Sequence, residues 1–297
     1  MRPRPLETLN LATLAVVSTL TLVLWRRLHS PGGLLLRYSL MAAAVLIVVW
    51  LWPREKKLPS PVRVLLDFYP TAFIPVLYET LGDLISAARG PARDDLLIAA
   101  DRALFGVDVT VWMQRFVRPG LSTLFYLAYT SYYFLALALG VLFWLRDKAT
   151  LRRYIFTLTF VYLVSYAGYF VLPALGPRYA LAARHTVPLE TTAVSRAISG
   201  TLDELEHTKF DVFPSGHTMV ALTVLLVSFR RARVFFWWVL PIAVCLVIST
   251  VYCRYHYVVD VIAGAVLALI AVPVGDRLYD RWLDSRQSTV ASIRSST

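Results

Sequence analysis

Apolar residues in this chain come in long unbroken stretches, not in the alternating or one-faced patterns of a soluble domain. Eight stretches stand out, at 9–25, 34–52, 64–88, 121–145, 154–173, 217–230, 234–252 and 257–275. Most reach the ~20 residues that a helix needs to cross ~30 Å of hydrocarbon. Only helices and closed barrels satisfy their backbone in lipid, and runs this long belong to helices. The pattern predicts an all-α, polytopic membrane bundle of about eight transmembrane helices. The stretch 64–88 differs in kind, because Asp67, Pro70, Pro75, Glu79 and Asp83 fall within it as they would in a broken or interfacial helix. After it, "DDLLIAADRALFG" sets apolar residues at helical spacing against acids, which predicts a short helix lying on the membrane surface.

Composition agrees with the pattern. The 297 residues are 58% hydrophobic and only 16% charged, with mean hydropathy +0.60, too little charge to cover a soluble domain of this length. The net charge of +11 would suit nucleic acid if it formed one patch. Instead it lies in short clusters beside the apolar runs: "WRRLH", "PREKK", "LRDKATLRRY" and "FRRARV". That is the positive-inside pattern, so nucleic acid is set aside as a partner. Arg146, Lys148, Arg152 and Arg153, and then Arg230, Arg231 and Arg233, place two short loops in the cytoplasm. Loops 174–216 and 253–256 then face the other side, and both termini are cytoplasmic. Arg26, Arg27 and Arg37 run against the bias in the first external loop. The first apolar run follows basic residues as a signal peptide would, but no small-residue cleavage site follows it, so it reads as a retained span. Cys245 and Cys253 share one predicted helix and give no disulfide framework.

Chemistry concentrates on the external side. "DVFPSGHTMV" carries Ser215, Gly216 and His217 where the chain enters the sixth apolar run, "LPALGPRYAL" carries Arg178, and "VYCRYHYVVDVIAG" carries Arg254, His256 and Asp260. His256 and Asp260 are four residues apart and share a helix face. A carboxylate there accepts from one imidazole nitrogen and makes the other a better nucleophile or base. His217 supplies a second imidazole, able to give a proton. Arg178 offers a planar fork for phosphate oxygens. The Ser215–Gly216–His217 helix start aims amides and the helix dipole at an anion, and Gly216 removes a side chain from the backbone a phosphate would approach. Together these parts describe phosphoryl transfer through a phosphohistidine, with His256 as nucleophile and His217 as proton donor.

"FPSGH" followed by "HYVVD" resembles the type 2 phosphatidic acid phosphatase superfamily, over roughly residues 64–275. That family's pattern is Lys-x6-Arg-Pro, then Pro-Ser-Gly-His, then Ser-Arg-x5-His-x3-Asp. The resemblance implies a six-helix core, no metal or other cofactor, and lipid-linked phosphate substrates. It makes His256, His217 and Asp260 catalytic, and Arg178, Ser215 and Gly216 binders of the substrate phosphate. It also divides the chain into an N-terminal hairpin (1–63), a catalytic membrane domain (64–275) and a cytoplasmic tail (276–297) that reads as disordered. Three positions depart from the pattern: Val171 replaces the lysine, Tyr179 the proline and Thr250 the arginine. Arg254 is an extra cation that substitutes in part for the last of these. Fewer cations suit a phosphodiester, and "GPR" with "HYVVDV" also resembles the lipid phosphotransferase branch that includes inositol phosphorylceramide and sphingomyelin synthases. The reading therefore leans to moving a phosphoryl-headgroup from a phospholipid to a lipid alcohol, with hydrolysis of phosphatidic acid or polyprenyl (pyro)phosphate as the alternative.

Each residue also has a structural reading. Arg178 and Arg254 could anchor at the interface, and Asp260 could hold a neighbouring helix. Lys209 and Asp211 read as solvated loop residues, His185 and His207 as loop surface, and the many tyrosines and tryptophans mostly as interface belt. A membrane transporter, or a zinc site on His217, His256 and Asp211, would use similar residues. Neither needs Pro-Ser-Gly-His opening one helix and His-x3-Asp opening another.

Overall fold

A computed structural model describes residues 3–189, 192–205 and 209–295, without the side chains of 203, 205 and 286–295. The chain is all helical among the described residues. Helices α1 (Pro5–Val23) and α2 (Pro31–Leu51) form the predicted hairpin, and both start on a proline, which loses nothing at a first helical position. Three short helices follow, α3 (Ser60–Phe68), α4 (Pro70–Tyr78) and α5 (Leu81–Arg89). Next come α6 (Asp94–Phe105), one-turn α7 (Val109–Trp112), α8 (Pro119–Thr130) and α9 (Tyr132–Arg146). Then α10 (Lys148–Val171), one-turn α11 (Pro177–Ala180) and α12 (Ala193–Leu205) lead to α13 (Gly216–Arg231), α14 (Arg233–Tyr252) and α15 (Val258–Ser295).

Among the described residues, five helices are long and apolar enough to cross a membrane, six if α8 and α9, bent by 44°, count as one. These six coincide with six of the eight predicted stretches. The other two explain themselves. Stretch 64–88 is broken where Pro70 cannot continue α3, yet Asp67 pairs with Lys148 at one end of the bundle while Tyr78 reaches Asp211 at the other. Its pieces therefore traverse the bundle in relay. Helix α13 has 16 residues, about 24 Å of helix. It is also the most enclosed, wrapped by α9, α10, α14 and α15. Met219, Ala221, Val224 and Val227 pack with Leu139 and Leu151, and with Leu246 and Ala268, in one apolar core. A second core joins the α1–α2 hairpin to α4, α5 and α10 through Tyr38, Val45, Leu77, Ile85 and Tyr166.

Chain direction sorts the bundle into two ends. The basic loops lie where α9 meets α10 and where α13 meets α14, and Asp147 caps α10 there by accepting from the amides of Ala149 and Thr150. At that end α15 continues past residue 275. Asp276 accepts from Thr157 and pairs with Arg230, and Asp280 pairs with Arg153. These ties hold the first turns of α15 beyond residue 275 against α10 and α13. At the opposite end, the last turn of α10, the start of α13, the end of α14 and the start of α15 converge. All the candidate residues lie there.

Candidate active site

Ser215 is the N-cap of α13, its Oγ accepting from the Thr218 amide at 3.3 Å and its own amide donating to the Asp260 carbonyl at 3.1 Å. The second bond ties the starts of α13 and α15 together. It requires Gly264, where any Cβ would stand 2.6 Å from the Ser215 carbonyl oxygen. On the other side of α13, a Cβ at Gly216 would meet the Tyr169 hydroxyl at 2.8 Å and Ser165 Oγ at 3.0 Å. The missing side chain at Gly216 therefore lets α10 pack close against the start of α13.

The three predicted catalytic residues come together as a relay. His256 Nδ1 lies 3.1 Å from Asp260 Oδ2 and 3.1 Å from the Val212 carbonyl oxygen. Both neighbours are acceptors, so Nδ1 carries the proton and Nε2 keeps its lone pair. Nε2 faces His217 Nδ1 at 3.2 Å, where an N–H donates to it. Rings of Tyr129 and Tyr132 flank His217, with centroids 4.5 and 4.3 Å away, and fix its plane. His256 and Asp260 are buried. Burial alone would push the His256 imidazole down. The Asp260 carboxylate, with Asp211 and the Val212 carbonyl, holds it above its ordinary value of about 6.5.

Two cavities meet at this relay. The smaller, about 220 Å³, is polar and is lined by Arg178, Lys209, Asp211, His217, Tyr255 and His256 among others. Arg178 thus shares a cavity with His256, and its amide donates to the Arg254 carbonyl at 2.9 Å. The larger, about 480 Å³, is mostly apolar and runs between α4, α9 and α10 to Gly216 and His217. Ser215 lines neither, because its hydroxyl is taken by the helix cap. Arg254 lines neither as well: it sits at φ +66° as the chain turns off α14, and this left-handed turn sends His256 inward and its own guanidinium outward, to the Val187 carbonyl at 2.5 Å. Lys209, read as a solvated loop residue, is exposed and lines the polar cavity. Asp211, read the same way, is half-buried between the cavities and accepts from the Tyr78 hydroxyl at 2.6 Å. Burial raises its carboxyl above the usual range.

Two more acids carry the site without lining it. Asp94 accepts from the amides of Leu175 (2.9 Å) and Gly176 (2.8 Å) and from the Tyr257 hydroxyl (2.9 Å), anchoring the loop that bears Arg178. Asp101 accepts from the amides of Val258 and Val259, the first residues of α15. The "acid face" of α6 is thus turned inward. The only sequence signal was the spacing of Asp94 and Asp101, two helical turns apart. Asp94→Asn turns an acceptor into a donor before buried amides, and is expected to cost about 1–3 kcal/mol. A lowered thermal midpoint and a raised KM for the phosphate donor would show it; an unchanged midpoint would reject the anchoring role. His185 is half-buried, 3.2 Å from Thr110 Oγ1, with burial and the nearby Arg254 and Arg184 pushing it down to about 4. His207 lies outside the described residues, and neither Cys245 nor Cys253 is in a disulfide among the described residues.

Among the described residues no three of His, Cys, Asp or Glu are gathered as a metal site requires. The family model described as the PAP2 superfamily matches residues 95–274, more than half of the chain, from the first turn of α6 into α15. No curated protein and no solved structure matches the chain.

Proposed function

The chain belongs to the PAP2 superfamily, and from that membership we propose that it is a multi-pass membrane phosphotransferase moving a phosphoryl-headgroup from a phospholipid to a lipid alcohol. Membership itself supports a lipid phosphatase- or phosphotransferase-type function. The observation that carries the finer reading is the relay Asp260–His256–His217 opening onto a cavity that holds Arg178.

The donor's phosphorus enters between the two imidazoles, taking the place of the present Nε2···Nδ1 hydrogen bond. His256 Nε2 attacks it, and Asp260 stabilises the imidazolium that develops. His217, protonated on both ring nitrogens for this step, gives its Nδ1 proton to the leaving oxygen and is left neutral. Arg178 and the amides of Gly216 and His217, at the positive end of α13, hold the non-bridging oxygens as charge builds on them. The phosphoryl-headgroup then rests on Nε2 until an alcohol displaces it. Two cations, Arg178 and Lys209, face one carboxylate, Asp211, across the cavity. That balance suits the single negative charge of a phosphodiester better than a phosphate monoester dianion. By the positive-inside rule, the basic end of the bundle is cytoplasmic and this site is extracytoplasmic.

The test uses the purified protein in lipid nanodiscs. It receives phosphatidylinositol, phosphatidic acid or polyprenyl pyrophosphate, each with and without a long-chain lipid alcohol, and products are followed by mass spectrometry. A new phosphodiester lipid that appears only with the alcohol is the expected result. Free phosphate or a free phosphorylated headgroup, unaffected by the alcohol, would reject transfer in favour of hydrolysis.

A further inference from the structure

The polar cavity accounts for the phosphate but not for the larger space on the other side of His217. We infer that the apolar cavity between α4, α9 and α10 is a separate acceptor subsite, which takes the chain of a lipid alcohol and presents its hydroxyl to Asp211. The inference rests on the phosphohistidine reading above and adds to it where the second substrate sits and which group activates it.

Its walls fit an alkyl chain. Phe68, Ile74, Leu137, Ile155 and Leu158 line the space, and its volume of about 480 Å³ falls within the roughly 300–1,000 Å³ of small-molecule sites. Its entrance fits a ligand dissolved in lipid. Tyr133 and Leu137 of α9, Thr71 and Pro75 of α4, and Glu79 just after α4 line it and are exposed on the bundle's outer face. A chain can therefore enter sideways from the hydrocarbon without crossing the aqueous cavity. Its inner end is polar: Tyr78, Asp211 and His217 meet there. Among the described residues, only Asp211 and His217 line both cavities. His217 Nε2 is buried and has no hydrogen-bond partner, an unmet polar atom at the junction.

The junction supplies the chemistry that the second half-reaction needs. His256, once phosphorylated on Nε2, cannot also take the acceptor's proton. Asp211 can: its Oδ2 is held at 2.6 Å by the Tyr78 hydroxyl, which aims the carboxylate between the cavities. The acceptor oxygen forms its bond to phosphorus as the phosphorus–Nε2 bond breaks. The hydroxyl proton passes to Asp211 and on to His217, which gave its own to the leaving oxygen, and the bonding pair returns to Nε2 as its lone pair. A hydroxyl arriving from the apolar side also reaches phosphorus ahead of bulk water, which favours transfer over hydrolysis.

Two readouts test this. First, a long-chain alcohol bearing a diazirine is incorporated into phosphatidylcholine nanodiscs with the full-length protein and photolysed. Label on α9 and α10 around Leu158, lost in Leu158→Trp, is the expected result; label confined to other faces of the bundle would overturn the inference. This measurement needs no turnover, so it decides the occupant even if no phosphohistidine ever forms, an outcome that would instead refute the functional reading. Second, the half-reactions are separated with a donor labelled in its phosphate. Leu158→Trp should raise KM for the alcohol at least tenfold and leave the donor's KM unchanged. Asp211→Asn should form labelled phosphohistidine and transfer it about 100-fold more slowly. Equal effects of Leu158→Trp on donor and alcohol would assign the cavity to the donor's own tails, and undiminished transfer by Asp211→Asn would remove it as the base; either result overturns the proposal.

Discussion

His256→Ala is expected to abolish turnover, by about 10⁴-fold or more, while leaving a folded protein. The size follows from the role: removing a nucleophile that works as a unit with its base and orienting group costs nearly all of the chemistry. The fold should survive because the apolar packing of α13, α14 and α15 lies below the relay, in residues such as Val224, Leu246 and Ala268. What the fold loses is the contact of Nδ1 with Asp260 and Val212. Asp260 Oδ1 is already without a partner, so the substitution leaves the whole carboxylate buried and unpaired, a cost of about 1–3 kcal/mol. A protein of normal helicity with a thermal midpoint lowered by some degrees is the expected control. The decisive measurement is acid-labile, base-stable phosphate on the enzyme after mixing with a labelled donor. The parent should retain it and His256→Ala should not. Retained turnover in His256→Ala would reject the nucleophile assignment outright.

That this residue could be found without coordinates follows from the form of its signal. His256 and Asp260 interact within one turn, so a spacing of four is enough to read the contact, and it forms at 3.1 Å. Pro-Ser-Gly-His opens a helix by a local cap, which sequence also shows. The convergence of His217 with His256 was legible because both follow basic loops by one span and must end on the same side. Residues whose partners are distant or are backbone were not legible. Asp94 and Asp101 bind amides at 175–176 and 258–259, and no periodicity distinguishes an acid facing water from one facing an amide 80 or 160 residues away. The direction of the Arg254 side chain was not legible for a backbone reason. A left-handed turn at Arg254 points its side chain away from the site, and side-chain chemistry gave no sign of that turn. The count of spans was limited in the same way. Composition marks where helices are apolar, but Pro70 divides one stretch into relayed pieces, and α13 stays short because it is enclosed by four neighbours and does not face lipid.

The second large effect is expected at Asp260. Asp260→Asn should lower kcat about 10²–10⁴-fold, approaching the loss seen when the carboxylate of a Ser-His-Asp triad is replaced by its amide. The reason is the tautomer. At present His256 Nδ1 meets two acceptors, Asp260 Oδ2 and the Val212 carbonyl, and must carry the proton. An asparagine that turns its amide nitrogen to the ring favours the opposite tautomer, with the proton on Nε2, where the attacking lone pair should be. The pH profile separates this from a mere loss of packing. Burial pushes His256 down and the carboxylate more than offsets it, so the imidazole sits above about 6.5. Attack requires the unprotonated Nε2. The rate of the parent should therefore fall as pH drops through that raised value, and the limb marks the ionisation of His256. With the carboxylate neutralised, burial remains while its largest counterweight is gone, and the acid limb should move to lower pH even as the plateau falls. Measuring kcat/KM for the donor from about pH 5 to 9 on both proteins decides it. A limb that stays in place while the plateau drops would mean that Asp260 holds α15 against α13 through its carbonyl bond to Ser215 and does not tune His256.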